Sequence, residues 1–402
     1  MASTKVSFTN KNGYELSARL ELPVNQHPHS YALFAHCFTC NKNLTAVRNI
    51  SRALNQSGMA VLRFDFTGLG ESEGDFADTN FTSNVEDLEA AGAFLAEHYQ
   101  APTLLVGHSL GGAAVIHVAD RLPSVKAIAT IGAPHDPAHV SHLFGKQEAA
   151  ISSEGQAEVN IGGRPFKVKK QFLEDIAEHS QEDKIQNLNR ALLILHSPQD
   201  RTVAIENAAK IYHEARHPKS FVTLDGADHL MSNKHDSQYA GKLIASWAER
   251  YLDLPEKAEL RSDRDVVVRL GNEGFTSEVM VRHHDLTADE PASIGGNDFG
   301  PTPYELLSAS LGACTAMTLQ MYARRKKWDL KEVRVHLNHR KDYATDMADV
   351  EQPSSKIDHF DRVLEIDGDL DETQLARLVE IADKCPVHRT LHGDVIVNTI
   401  LK

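Results

Sequence analysis

Apolar residues fall along this chain in two rhythms: compact runs, and looser stretches in which they return every third or fourth position. The runs 31–35, 60–64, 103–106, 125–131, 191–195 and 220–224 read as buried strands. The looser stretches 49–54, 87–99 and 111–121, and a last one ending near 247–252, read as helices packed on one face. Short apolar strands separated by amphipathic helices predict an α/β fold with a doubly wound, mostly parallel sheet covered on both sides. Residues from about 134 to 189 break the rhythm. They are polar, and 159–168 suggests a hairpin turning at Gly162-Gly163. An excursion of this kind between two core strands predicts a lid shaping a pocket.

Beyond 252 the character changes. Residues 253–264 have the polar, proline-containing composition of a linker. After them come strands at 265–270 and 277–281, joined by Gly271-Asn272-Glu273-Gly274. A long helix follows at 303–326, then strands at 332–339 and 360–366, a helix at 371–384 and a closing strand at 395–400. Hairpins separated by helices predict a smaller α+β domain over 265–402, after a first domain over 1–252.

Composition narrows the partners. The 402 residues suit two domains, and a net charge of −14 argues against nucleic acid or an anionic membrane surface as partner. The polar start, Met1-Ala2-Ser3-Thr4-Lys5-Val6-Ser7, has no long apolar run behind it, so no signal peptide or membrane span is expected. Four cysteines in so long a chain are no disulfide scaffold, and a reducing, cytoplasmic setting is expected. The spacing of Cys37 and Cys40 resembles a redox C-x-x-C, but two cysteines are too few for the usual zinc site and read first as small packing residues; neither a metal nor a cofactor is expected.

The chemistry begins where the strand 103–106 runs into Gly107-His108-Ser109-Leu110-Gly111. A strand turning sharply into a helix at a serine exposes its hydroxyl, and the flanking glycines avoid clashes in the tight turn. The helix start favours developing negative charge, so the Leu110 N–H is one expected oxyanion donor. The second is expected from the loop His36-Cys37-Phe38-Thr39, with Phe38 preferred and Cys37 the alternative. A base and its orienting acid should follow in chain order: Asp200 after the strand 191–195, and His229 after the strand 220–224. Both sit past strand C-termini, where open parallel sheets bind ligands. Asp225 and Asp228 compete with Asp200, but on the histidine's own loop they suit capping. Together with Phe64-Asp65-Phe66-Thr67-Gly68-Leu69-Gly70-Glu71-Ser72, these residues make the first 252 positions resemble the α/β-hydrolase superfamily, and small microbial carboxylesterases such as cinnamoyl and feruloyl esterases within it. The resemblance implies hydrolysis of a small-molecule ester, with small acyl or hydroxycinnamoyl groups as the expected class.

The second half holds a different reactive pair. Leu307, Leu311, Cys314, Thr318 and Met321 recur at helical spacing, so Cys314 is expected to face a core or an interface. Cys385 lies in Lys384-Cys385-Pro386, and packing alone explains either cysteine. Gly300-Pro301-Thr302-Pro303-Tyr304-Glu305, Leu311-Gly312-Ala313-Cys314 and Asp383-Lys384-Cys385-Pro386-Val387-His388 resemble the OsmC/Ohr family. The resemblance implies a homodimer with sites at the subunit interface. It also implies thiol peroxidase chemistry in active members, with Cys314 as peroxidatic and Cys385 as resolving cysteine. The pattern is incomplete here. The family's arginine is missing from the first hairpin loop, leaving Arg269 as nearest candidate and Arg282 as a weaker one. Glu305 is one position late, and Thr302-Pro303-Tyr304-Glu305 forms a capping box by itself. In a continuous helix, nine residues at about 100° each also put Glu305 opposite Cys314. The leading expectation is therefore a carboxylesterase dimerised by its second domain. The alternative is a bifunctional enzyme that also reduces organic hydroperoxides.

Overall fold

A computed structural model of the chain describes residues 3–23, 28–145, 147–161, 164–252, 260, 262–271, 274–343 and 356–401. Contacts divide the chain into two compact units, 1–274 and 275–402. Most of the expected linker, 253–259 and 261, lies outside the described residues.

The first unit opens with strands β1 (Ser3–Thr9), β2 (Glu15–Glu21) and β3 (Ser30–Ala35), helix α1 (Thr45–Gln56), strand β4 (Met59–Phe64) and helix α2 (Phe81–His98). Strand β5 (Leu104–His108), helix α3 (Leu110–Val118) and strand β6 (Ala127–Ile131) follow. An excursion then comprises a 3-10 segment (Pro137–Phe144), α4 (Gln147–Glu154), β7 (Gln156–Ile161), β8 (Arg164–Lys169), α5 (Lys170–Glu178) and α6 (Glu182–Gln186). The chain returns through β9 (Ala191–His196), α7 (Glu206–Glu214), β10 (Lys219–Thr223) and α8 (Lys234–Glu249).

Eight strands form one sheet in the order β1-β2-β4-β3-β5-β6-β9-β10. From β4 to β10 every neighbour is parallel; β1 and β2 add an antiparallel edge. That edge shows no compact apolar run: buried Leu16, Ala18 and Leu20 are separated by polar Ser17 and Arg19, and most of the paired β1 positions are not buried. The central strands are buried on both faces. Ala32 and Phe34 pack with α1 and α8, whereas Leu33 and Ala35 pack with α2, α3 and the excursion. Within the excursion β7 and β8 pair as a hairpin, Gln156↔Lys169 to Ile161↔Arg164; the expected turn at 162–163 lies outside the described residues. Asp175 on α5 accepts from the Thr82 N–H at 2.8 Å, tying the excursion to the first turn of α2.

The remaining elements are β11 (Val266–Leu270), β12 (Ser277–Val281), β13 (His284–Ala288), α9 (Pro303–Lys326), β14 (Asp329–Tyr343), β15 (Lys356–Asp369), α10 (Glu372–Ala382) and α11 (Pro386–His392). β12 and β13 pair antiparallel, and β14 and β15 form a long antiparallel ribbon. Leu319, Ala323, Leu330, Leu378, Ile381 and Ala382 make a small core. Two expectations fail here. Residues 395–400 form no strand; they are irregular and open, with Ile396 85 % exposed. A β-branched run needs a neighbouring strand to pair with, and none of the described strands takes it. The buried stripe of α9 also differs. It is Leu311, Gly312, Thr315, Leu319 and Ala323, while Met321 is 72 % exposed. The face that packs is chosen by small Gly312 and Thr315, which an apolar count overlooks.

Candidate active site

The turn between β5 and α3 is the structural origin of the site. Ser109 has φ 55° and ψ −126°, a backbone region that side chains other than glycine rarely enter. Its N–H donates to the Ile131 carbonyl at 2.8 Å, and its own carbonyl accepts from the Gly112 N–H at 2.8 Å. The two flanking glycines are sterically required. A Cβ on Gly107 would lie 2.4 Å from the Gly111 carbonyl oxygen, and one on Gly111 would lie 2.5 Å from the carbonyl oxygens of Ala35 and His36.

Two further strand ends converge on this serine. His229, beyond β10, places Nε2 3.0 Å from the Ser109 Oγ and Nδ1 2.7 Å from the Asp200 Oδ2. Asp200, beyond β9, accepts the Thr202 and Val203 N–H groups on Oδ1 at 2.8 and 2.9 Å. Burial alone would raise the Asp200 carboxyl. The hydrogen bond and charge of His229, with the two backbone donors, outweigh burial and hold it below the usual carboxylate value. Asp200 therefore stays ionised and orients Nδ1–H toward itself, leaving Nε2 free to accept the serine proton. The competing carboxylates look elsewhere: Asp228 caps the Ser232 N–H at 2.8 Å, and exposed Asp225 meets Thr223.

The expected oxyanion donors sit on adjacent elements. Leu110 is the first residue of α3, where no preceding helical carbonyl claims its N–H. Phe38 occupies a turn closed by the Cys40 N–H donating to the Cys37 carbonyl at 3.1 Å. The parallel register Ala35↔Gly107 brings these two loops side by side, and Phe38 and Leu110 line one narrow recess. The Phe38 ring packs against Phe76, Phe144 and Phe172, and Phe76 packs against Phe166; three of these rings come from the excursion.

Several features escaped the sequence reading. Cys37 and Cys40 are joined as a disulfide, with Cα atoms 5.3 Å apart, which corrects their reading as separate packing residues. Arg164, on β8, donates to the Thr39 carbonyl in the same turn at 2.7 Å. Three buried histidines pin the loops of the site. His36 Nδ1 lies 2.8 Å from the Cys37 carbonyl, His108 Nε2 2.7 Å from the His229 carbonyl, and His196 Nε2 2.7 Å from the Val203 carbonyl. Each of these ring nitrogens faces a carbonyl and must therefore donate, which fixes the tautomer. Burial lowers all three, His108 to about 3, with the neighbouring His229 adding to the effect. They are neutral, positioning side chains.

Of the residues predicted for the second half, Cys314, Cys385 and Glu305 lie in the second unit. Cys385 is fully buried and caps α11, its Sγ accepting from the His388 N–H at 3.3 Å. Its neighbour on α9 is the Thr315 hydroxyl at 3.7 Å, one position past half-buried Cys314. Both cysteines are free thiols. Glu305 forms the capping box with Thr302, donors and acceptors 2.7 and 3.2 Å apart. Arg269 is exposed on β11, in the first unit. Arg362 on β15 joins the Cys385 cluster, donating to Thr315 Oγ1 at 3.0 Å, the Ala382 carbonyl at 3.1 Å and Asp383 at 2.6 Å. An open cavity of about 770 Å³ lies between α9 and β14, with Tyr304, Glu305, Gly312, Leu337 and His339 in its wall. Among the described residues there is no cluster of metal-ligating side chains, and no helix is long and apolar enough to cross a membrane.

Comparison with known proteins agrees with this division. A family described as serine aminopeptidase, S33, matches residues 28–159, and one described as OsmC-like protein matches 295–400. The esterase domain of a Rhodothermus marinus protein is 53 % identical, covering 62 % of this chain and 99 % of its own, with a TM-score of 0.53. A Butyrivibrio proteoclasticus protein, Est1E, solved with ferulic acid, shares the fold at 22 % identity, covering 61 % and 98 %, with a TM-score of 0.54. A curated relative, the Mus musculus palmitoyl-protein thioesterase ABHD10, mitochondrial, is 24 % identical over 216 residues, 51 % of this chain and 70 % of its own.

Proposed function

We propose that this chain, a fusion of an α/β-hydrolase domain of esterase type with an OsmC-family domain, hydrolyses carboxylic esters through an acyl-enzyme on Ser109. The observation that carries the reading is the continuous chain Asp200–His229–Ser109, with separations of 2.7 and 3.0 Å. His229 Nε2 takes the hydroxyl proton as the serine oxygen attacks the ester carbonyl. The Leu110 and Phe38 N–H groups stabilise the oxyanion. Collapse expels the alcohol, protonated by His229, and a water activated by the same ring releases the acid.

Small or flat aromatic acyl groups are the proposed substrates, with the excursion acting as a lid. The phenylalanines around Phe38 support this, because aromatic walls favour an apolar, planar acyl group. The ferulic acid held by Est1E points the same way. Acyl thioesters are the second reading, favoured by the activity in the mouse relative's name. The second unit is proposed to dimerise the protein. Its small core and the exposed Met317, Met321, Val363 and Val379 support an apolar surface seeking a partner. Peroxide reduction by Cys314 and Cys385 is the less supported alternative, because Thr315, not Cys314, meets Cys385. The testing experiment is turnover of an ester panel, from p-nitrophenyl acyls to methyl ferulate, with an acyl thioester alongside. Activity present in the wild type and lost in Ser109→Ala is required. Turnover that survives that substitution refutes the reading.

A further inference from the structure

The turn that supplies the Phe38 N–H is closed by a bond that thiols can open. Cys37-Phe38-Thr39-Cys40 is a C-x-x-C segment whose two sulfurs are bonded, with Phe38 and Thr39 as the only residues inside the loop. Thr39 has φ 63°, a left-handed conformation that a β-branched residue adopts only when its surroundings impose it. One backbone hydrogen bond, Cys40 to Cys37, spans the turn. From outside, Arg164 holds the Thr39 carbonyl and His36 the Cys37 carbonyl. The disulfide is the covalent member of this set. The two cysteines also differ in access: Cys37 is 3 % exposed, whereas Cys40 is half-buried and the more accessible of the two.

We infer that Cys37–Cys40 is a thiol–disulfide exchange site through which a dithiol sets the position of the Phe38 N–H, and with it the rate of acylation at Ser109. The inference rests on the serine-hydrolase reading of the first unit. The exchange is balanced as follows. A thiolate of the dithiol attacks Cys40 Sγ, the S–S bond breaks, and Cys37 leaves as a thiolate that takes a proton from water. The second thiol of the reagent then displaces Cys40 from the mixed disulfide. Two electrons pass from the dithiol, now a cyclic disulfide, to the protein, which holds two thiols. Oxidised dithiol reverses the sequence. Opened, the loop lets Thr39 relax from its left-handed conformation, and Phe38, the residue before it, turns with it. The catalytic hydrogen-bond chain from Asp200 to Ser109 is on other loops and is untouched.

The test uses the full chain, purified oxidised, then treated with graded dithiothreitol and trapped with iodoacetamide. Peptide mass scores the state of Cys37 and Cys40. Two rates are read at each state: inactivation of Ser109 by a fluorophosphonate, whose phosphoryl oxygen also enters the oxyanion hole, and turnover of p-nitrophenyl acetate. Loss of one oxyanion donor costs about 10²–10³ in rate. A displaced donor should cost about 10- to 100-fold in both rates as the thiols appear, with KM little changed and full recovery on reoxidation. Cys40→Ser, and separately the Cys37→Ala/Cys40→Ala pair, should be slow from the start and indifferent to dithiothreitol. Equal rates in the two scored states overturn the inference. So does loss of the folded far-ultraviolet spectrum on reduction, which would make the bond a structural staple. Redox-dependent labelling without any ester turnover supports the exchange site and refutes only the ester substrate. A protein inert to the fluorophosphonate in both states refutes the serine reading, and the inference with it.

Discussion

Replacing Asp200 by asparagine should abolish most catalysis without loosening the fold, and the hydrogen bonds say why. Oδ1 accepts two backbone N–H groups, from Thr202 at 2.8 Å and Val203 at 2.9 Å. An amide has one accepting atom, so those two donors hold the asparagine oxygen at the Oδ1 position. The amide nitrogen is then forced into the place of Oδ2, 2.7 Å from His229 Nδ1. There it donates, Nδ1 becomes an acceptor, and the imidazole proton moves to Nε2. Nε2–H now points at the Ser109 hydroxyl, 3.0 Å away, and has no lone pair for its proton. The expected loss in kcat is about 10³–10⁴, or about 4–5.5 kcal/mol of transition-state stabilisation. Because the turn keeps both backbone bonds, the melting temperature should move by no more than about 4 °C, the shift expected for a change of about 1 kcal/mol. The assay is steady-state hydrolysis of p-nitrophenyl acetate beside thermal unfolding by circular dichroism. A loss under about tenfold in a folded variant would refute the reasoning and move the orienting role to another carboxylate.

Three further outcomes are expected. His108→Leu removes the donor to the His229 carbonyl and should lower kcat about tenfold at nearly constant KM, with His108→Gln recovering part of the loss; unchanged kcat would make His108 mere packing. His108 and His117, both lowered mainly by burial to about 3, bind protons more readily when unfolded. Stability is therefore complete above about pH 6.5 and is lost as pH falls toward about 3; unfolding free energies from urea titration at pH 7.5 and 5 should differ by about 2 kcal/mol for each ring, and a flat profile would contradict the burial. Lys42→Met leaves Asp65, whose carboxylate lies 2.5 Å from the ammonium with both side chains 1 % exposed, a buried charge with two backbone donors but without this cation, and should destabilise by about 3–5 kcal/mol; a cost under about 1 kcal/mol in denaturant titration would mean water reaches the pair.

What could be read from the sequence was whatever announces itself locally. The run into Gly107–Gly111 marks a strand, a turn and a helix within a few residues, and the order serine, aspartate, histidine at strand ends locates the residues that the fold gathers. The pins of that site do not announce themselves. His108 is visible beside the serine, but its acceptor is a carbonyl 121 positions away, and any residue has a carbonyl. Arg362 likewise meets Thr315 across 47 positions, with no pattern linking them. The spacing of Cys37 and Cys40 is compatible with bonding, but only the turn geometry joins them. Where pattern misled, context was missing. Residues 395–400 have strand propensity without a described strand to pair with, and the packing face of α9 is set by small residues that leave room for a neighbour.

The backbone of Ser109, at φ 55° and ψ −126°, sets thermostability against reactivity in this protein. Glycine is the residue that conformation favours, and holding any other there costs about 1–3 kcal/mol, partly offset by the chain entropy glycine loses on folding. Ser109→Gly should therefore yield a chain that melts higher than the wild type and hydrolyses nothing. A library screened for heat resistance alone would enrich that dead variant, so selection for ester turnover must be what keeps a serine at the turn. Homologues that have lost the reaction should drift toward glycine at this position, and the residue found there then serves as a record of whether the first unit still works.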